Sequence, residues 1–413
     1  MDVTLLCDVV DNYGDIGVVY RLSRALSSLS TDINLTLVVS NLTSFSQMAP
    51  NIKPTESIQE YNGWTILDWN NAAACTDFFT EHHPRIILQC FQCIRPDWLE
   101  SILFNPERNN TKEIIHIINV EYLTAEEWAD GFHLLKSATR SSFVKKRNFM
   151  PGFTCKTGGL ILDPPFMENL HNKDIAIQKT APYLTKHALS ILTNKNIFKL
   201  IVFTYEQDFA AIVESLVQLQ KTTHRDVCVF VAPGLSEQPF MSAIKTADAP
   251  VQTVILPYMQ QTAWDALLCC MDFAMIRGED SFARVCLCGI PFLWHAYQQD
   301  EEFQIVKVAA LLHRMKPFFP AREFALLQTC MILFNRRPSA TPGKEAKAEL
   351  QVVMNAFNAK TNVAGVSPET IPYTEYFCMA ETLRKGFSAF AEMLVHNGNM
   401  AENLLDYMKQ LQF

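Results

Sequence analysis

No apolar run in this chain approaches the roughly 20 residues that a membrane helix needs. No basic run stands out either, and the formal net charge is −8. Phosphate backbones are held by clustered Lys and Arg, so a nucleic-acid partner is not expected. An acidic surface still suits a basic partner protein. The sequence contains no GxGxxG, no GxxxxGK[ST] and no GxSxG motif, which disfavours a simple dehydrogenase, a P-loop enzyme or a hydrolase. The start, Met1-Asp2-Val3-Thr4-Leu5-Leu6-Cys7-Asp8, lacks a basic n-region and carries early acids. It reads as a first strand and not as a signal peptide.

What is present is the composition of a globular protein, about half hydrophobic and a fifth charged across 413 residues. That length calls for two domains of roughly 150–200 residues. The twelve cysteines lie mostly in apolar runs, such as Cys228, Cys269-Cys270, Cys286 and Cys288. Buried free thiols in a reducing cytoplasm are the simplest reading. Cys90-Phe91-Gln92-Cys93 has CxxC spacing, but no second Cys or His pair follows at zinc-finger spacing, so no metal or redox role is expected there.

Short apolar runs alternate with longer amphipathic stretches, which predicts parallel sheets flanked by helices. The first series has strands at Val3–Val10, Asn34–Ser40, Arg85–Gln89 and Ile114–Val120, with a helix at Val18–Ser30. The pattern restarts with strands at Phe198–Thr204, Val227–Ala232, Val251–Leu256 and Phe273–Ile276. Helices are expected over Asp208–Lys221, Asp265–Cys270 and Ser281–Cys288. The break falls between Leu162 and Lys186, where Asp163-Pro164-Pro165 ends regular structure and Glu168–Gln178 has little periodicity. The tail from Tyr376 is helical in pattern and is expected to pack back on the first domain. The expected domains are therefore 1–170 completed by about 376–413, and 186–375.

Ligands of open α/β sheets sit outside the carboxyl ends of strands, so the loops directly after strands hold the candidate residues. Asp11-Asn12-Tyr13-Gly14-Asp15-Ile16-Gly17 follows the first strand. Its glycines permit a tight turn and close backbone approach, with a helix starting near Gly17. Two acids disfavour a phosphate cradle and favour a hydrogen-bonding or catalytic carboxylate, unless Asp11 or Asp15 only caps the helix. Arg277-Gly278-Glu279-Asp280-Ser281 follows the strand Phe273–Ile276. Asp280 or Ser281 stands where a helix cap is expected, and a helix start with a serine and an arginine suits a diphosphate. Glu279 can accept hydrogen bonds from ribose hydroxyls. The bland alternative is a capped helix with a surface Arg–Glu pair. Phe203, Tyr205, Tyr258, Trp264 and Tyr297 also lie near strand ends, where rings can stack on a flat base.

The blocks Val9–Val18, Asn119–Trp128, Met150–Thr154, Lys156–Leu160, Leu256-Pro257-Tyr258, Gln261, Asp265–Leu268 and Ile276–Phe282, continuing through Gly289, Pro291, Trp294-His295 and Tyr297, occur in one order along nearly the whole chain. In that combination the chain resembles the EarP family, protein-arginine rhamnosyltransferases acting on bacterial elongation factor P. The resemblance implies an α/β fold of the GT-B type, with two Rossmann-like domains facing across a cleft and a C-terminal helix packed on the N-terminal domain. It implies dTDP-β-L-rhamnose as donor, an arginine of elongation factor P as acceptor, inversion at the anomeric carbon, and a cytoplasmic enzyme with neither membrane nor nucleic-acid partner. By resemblance Asp15 and Glu279 are the essential acids, with Asp11 beside them. Arg277, Asp280 and Ser281 hold the diphosphate and sugar, while Phe203, Tyr205, Tyr258, Gln261, Trp264 and Tyr297 line the nucleotide pocket. Tyr13 and Gly17 are placed on the donor side. Trp264 and the stretch Gln260–Ala263 depart from the family's more usual residues. No Asp-x-Asp triplet follows a strand, so no metal cofactor is expected, with a helix start and Arg277 in its place. The residues themselves leave open another donor or a small acceptor, or a non-enzymatic binding module on the same fold.

Overall fold

The computed structural model describes residues 1–10, 14–105, 113–337, 339–358 and 369–411, with the backbone alone for 355–358. It divides into two compact units, Met1–Pro164 with Leu394–Phe413, and Pro165–Met393.

The first unit is built on an eight-stranded sheet. Its strands are β1 (Asp2–Cys7), β2 (Asn34–Val39), β3 (Ile58–Tyr61), β4 (Trp64–Asp68), β5 (Ile86–Cys90), β6 (Ile115–Val120), β7 (Lys136–Ser137) and β8 (Val144–Phe149). Their spatial order is β3-β4-β2-β1-β5-β6-β8-β7. The six inner strands are parallel, whereas β3 and β7 run antiparallel to their neighbours. The sheet is thus mixed at both edges and not wholly parallel as the periodicity suggests. The hairpin Ile58–Asp68 turns through Asn62 and Gly63, both at positive φ, and its two-residue turn suits antiparallel pairing. Leu5, Leu37, Ile66 and Leu88 are fully buried within one core, as strands covered by helices require.

The second unit holds β9 (Ile197–Phe203), β10 (Asp226–Val231), β11 (Gln252–Ile255), β12 (Phe273–Arg277) and β13 (Phe292–His295). Their order is β11-β10-β9-β12-β13, all parallel. In both sheets the chain first winds outward in one direction and then restarts on the other side of the first strand. This reversal lies between β1 and β5 in the first unit, and between β9 and β12 in the second. Connections on opposite faces diverge there, leaving room for a ligand beyond the strand ends.

Three features differ from the periodicity. The segment after Asp163 is helical, with helices Pro164–His171 and Lys173–Thr180 opening the second unit. Proline is compatible with a helix start, where its missing N–H costs no internal bond, and Asn172 caps the next helix by accepting from Asp174 and Ile175 N–H. The C-terminal pattern is divided among Thr370–Cys378, Ala380–His396 and Met400–Lys409. Residues 376–393 belong to the second unit and not to the first. Tyr376 and Phe377 pack edge-on against Phe273, and Phe387 packs against Phe292. The Tyr376 hydroxyl donates to the Phe292 carbonyl at 2.8 Å.

The last helix does complete the first unit. Met400, Ala401, Leu404, Leu405 and Met408 are buried in the core with β1 and helix Gly14–Leu29. Asn399 ties the helix start to Leu162, whose N–H donates to its side chain at 3.1 Å. Gly159 lies at φ 80°, and a Cβ there would stand 2.6 Å from the Gly398 carbonyl oxygen. The strand-like stretch Leu160–Leu162 and the helix can approach only because that residue is glycine. Leu404→Ala is expected to destabilise the first unit by about 2–5 kcal/mol; urea unfolding followed by a probe in that unit measures the loss.

Candidate functional site

The loop after β1 opens the first site. Asp11, Asn12 and Tyr13 lie outside the described residues. The following helix starts at Gly14, three residues before the expected start, so Gly17 is a buried helical residue and not part of a turn. Asp15 stands in the first helical turn and is only 4% exposed. Its Oδ2 accepts from the Val10 N–H at 2.8 Å, and the Tyr122 hydroxyl donates to Oδ1 at 3.4 Å. The carboxyl group is therefore held between the end of β1 and the loop after β6.

The loop after β5 meets the same place. Phe91 and Gln92 both adopt left-handed backbone conformations, φ 59° and 52°. Each costs of order 1 kcal/mol or more for a non-glycine residue and persists only where surroundings fix it. The Gln92 amide donates to both oxygens of buried Glu121 at 2.8 Å, and the Asn119 amide donates to the same carboxylate. The Phe91 N–H donates to the Val120 carbonyl at 2.7 Å, and its ring stacks on Tyr122 with centroids 4.6 Å apart. Cys7, Cys90 and Cys93 lie behind these loops as free thiols, each pushed up chiefly by burial. Protonated, buried thiols of this kind are unreactive. Among the described residues no group of three or more His, Cys, Asp or Glu side chains is arranged to hold a metal ion.

In the second unit the ends of β9 and β12 form a second site. The Arg277 guanidinium lies over the Phe203 ring at 4.8 Å and the Tyr205 ring at 4.7 Å. Trp264 meets Phe203 edge-on at 5.3 Å, and Tyr297 meets Tyr205 at 5.7 Å. Helix Glu279–Cys288 starts directly after Arg277. Its cap position is Gly278, at φ 73°, with no side-chain cap bond. Asp280 and Ser281, expected at the cap, fall instead in the first turn. Their side chains are engaged with helix Gln261–Cys269: the Gln261 amide donates to Asp280 Oδ2 at 2.8 Å, and the Trp264 indole N–H donates to Ser281 Oγ at 3.1 Å. Gly278 has open space where a Cβ would stand, so a ligand can approach the first N–H groups of the helix closely.

His295 ends β13 opposite Arg277 in the register. Burial, and then the Arg277 charge, hold its pKa down at about 4, so the imidazole stays neutral beside the guanidinium. Its ring lies edge-on to Tyr205 at 5.3 Å and to Phe334 at 5.4 Å.

With this geometry in place, comparison with known proteins decides the family. The profile of the family described as elongation-factor P (EF-P) rhamnosyltransferase EarP matches residues 3–409. A protein-arginine rhamnosyltransferase of Shewanella oneidensis is 31% identical over 75% of this chain and 79% of its own length. Another, from Pseudomonas aeruginosa, is 28% identical over 80% and 86%. The chain belongs to the EarP family. A solved structure described as the structural basis for EarP-mediated arginine glycosylation of translation elongation factor EF-P covers 99% of both chains at a TM-score of 0.54 and 16% identity, and shares the fold. Both units are Rossmann-like and the fold is GT-B.

Within this chain, Phe203, Tyr205, Gln261, Trp264, Arg277, Asp280, Ser281 and Tyr297 come together around one helix start. Glu279 is the first residue of that helix. Tyr258 stands 63% exposed in the loop after β11. Sequence reasoning missed Phe91, Gln92, Glu121 and Tyr122 as site residues. The signal was the rule that loops after strands carry ligands; Cys90–Cys93 was weighed only for metal or redox chemistry. It also missed His295, which looks like a core histidine.

His295 makes the stability of the second unit depend on pH. Its folded pKa lies below the ordinary value of about 6.5, so between pH 6.5 and about 4 the unfolded chain binds a proton that the folded chain refuses. Stability contributed by neutral His295 is present above pH 6.5 and falls as pH drops through that window. Replacing His295 with Phe is expected to flatten this part of the dependence; urea titrations of both proteins at several pH values check it.

Proposed function

We propose that the chain transfers L-rhamnose from dTDP-β-L-rhamnose to one arginine side chain of elongation factor P, with inversion, and so activates that factor for rescue of ribosomes stalled at polyproline. The observation that carries the reading is a guanidinium braced by two rings beside an uncapped helix start, in a chain of the EarP family. The EF-P acceptor is supported by the family's description and by the solved EarP structure, which concerns arginine glycosylation of that factor. A cytoplasmic location follows from that acceptor, and among the described residues no helix is long and apolar enough to cross a membrane.

In this reading the thymine base lies among Phe203, Tyr205, Tyr258, Trp264 and Tyr297, whose flat faces suit stacking. The diphosphate lies on Arg277 and the helix start at Gly278–Ser281, and Glu279 accepts hydrogen bonds from hydroxyl groups of the donor. No metal is required, because the charge an ion would supply comes from the guanidinium and the N–H groups. The acceptor guanidinium lies at Asp15. An arginine has a pKa above about 12 and is a poor nucleophile when protonated. Asp15 therefore binds and orients it in line with the anomeric carbon and takes its proton as the bond forms. The nitrogen forms its bond to that carbon as the carbon–oxygen bond breaks, and the electron pair leaves with the diphosphate. Negative charge grows on the leaving oxygen, so fixed donors stabilise the transition state more than the ground state.

The two ends of the reaction are expected to separate in kinetics. Asp15→Asn should lower turnover at least about a hundredfold while leaving the affinity for dTDP-rhamnose unchanged. Arg277→Ala should weaken donor binding by about tenfold to a hundredfold. Isothermal titration with the donor, set beside steady-state rates, checks both. An Asp15→Asn enzyme that keeps most of its rate removes Asp15 from the role.

A further inference from the structure

We propose that Tyr122 is the seat of the acceptor guanidinium: the planar group lies along the phenol ring while Asp15 receives its N–H bonds. The proposal rests on the arginine acceptor put forward above and names what recognises it.

Tyr122 is 40% exposed, yet its position is fixed from several sides. One face stacks on Phe91 at an interplanar angle of 21°. Its hydroxyl reaches Asp15 Oδ1. The preceding residue, Glu121, is buried and held by the amides of Gln92 and Asn119, and its N–H donates to the Phe149 carbonyl at 3.0 Å. The left-handed pair Phe91-Gln92 serves that arrangement, since one residue supplies the ring beneath Tyr122 and the other grips Glu121. Strained backbone is here coupled to holding one aromatic ring beside one carboxyl group.

A carboxyl group alone pairs with either cation and favours guanidinium only through its two-pronged fit. A ring beside it separates the two. Guanidinium is planar, weakly hydrated and stacks on aromatic faces, with five donors in a fixed fork. Ammonium is compact and strongly hydrated, and it gains less from the same site. The hydroxyl contact sets the distance between ring and carboxyl group, so a guanidinium with its N–H groups on Asp15 meets the ring beside it. Tyr122 thereby selects arginine over lysine and holds the reacting nitrogen's plane before transfer.

The test uses full-length enzyme and intact elongation factor P, with Tyr122→Leu and Tyr122→Phe variants. Acceptor KM, acceptor Kd by titration calorimetry, donor Kd and thermal stability are measured for each. Tyr122→Leu is expected to raise acceptor KM and Kd about tenfold with donor Kd unchanged. Tyr122→Phe keeps the stacking face and should restore acceptor affinity to within about twofold of wild type, with its loss confined to kcat. Unchanged acceptor affinity in the Leu variant overturns the seat. So does a Phe variant as weak as the Leu variant, since only the hydroxyl would then matter. Loss of donor affinity in step with acceptor affinity shows a merely structural role and also overturns it. If wild-type enzyme neither binds nor modifies the factor, the arginine-acceptor function itself fails, and the seat with it; a functioning wild type with an indifferent Tyr122 sinks the seat alone.

Discussion

The guanidinium of Arg277 lying across Phe203 and Tyr205 is the interaction on which the second site depends. It places a guanidinium at the switch point of a parallel sheet, against two ring faces. Its neighbours are arranged to the same end. His295 is kept uncharged by burial and by the guanidinium itself. Gly278 leaves the following helix start open, while Asp280 and Ser281 are drawn toward Gln261 and Trp264. Cation and helix start act in the same direction on an anion.

The first site holds a carboxyl group where the second holds a guanidinium. Asp15 is buried but not abandoned, since the Val10 N–H and the Tyr122 hydroxyl each take one of its oxygens. The rigid elements beneath are β1, β5 and β6, whose ends converge because they are adjacent in one parallel sheet. Reactive groups on strand ends and first helical turns are positioned more firmly than groups on free loops. The two units thus share a strand plan and differ in the group they place at the switch point, a carboxyl group in one and a guanidinium in the other.

Much of this was legible in the sequence because the plan is local. Asp15 and Arg277–Ser281 each follow an apolar strand and carry a glycine before a helix, which is what a strand–loop–helix site needs. What was not legible depends on tertiary packing. The helix Lys173–Thr180 has little periodicity of its own; its Ala176 and Thr180 are buried, and it packs against helix Gln261–Cys269. The apolar faces of Tyr376–Leu394 announced burial but not against which sheet, and the rings of Phe273 and Phe292 settle it. Phe91 and Gln92 at positive φ could not be read from residue type, since such backbone is ordinarily glycine's. The helix cap at Gly278 was displaced from Asp280 and Ser281 because neither acts as an isolated cap once Gln261 and Trp264 bind them. Trp264, set apart by sequence as a departure from the family's more usual residue, both packs on Phe203 and bonds Ser281 through its indole N–H, a bond that Phe cannot make and that a Tyr ring would have to make with a differently placed hydroxyl.

The most direct test of the central claim is the intact mass of elongation factor P after incubation with this enzyme and dTDP-β-L-rhamnose, followed by peptide mapping. The account predicts addition of a single deoxyhexose, on one arginine and only when both enzyme and donor are present. An unchanged mass, or a sugar found on any residue other than arginine, would contradict it.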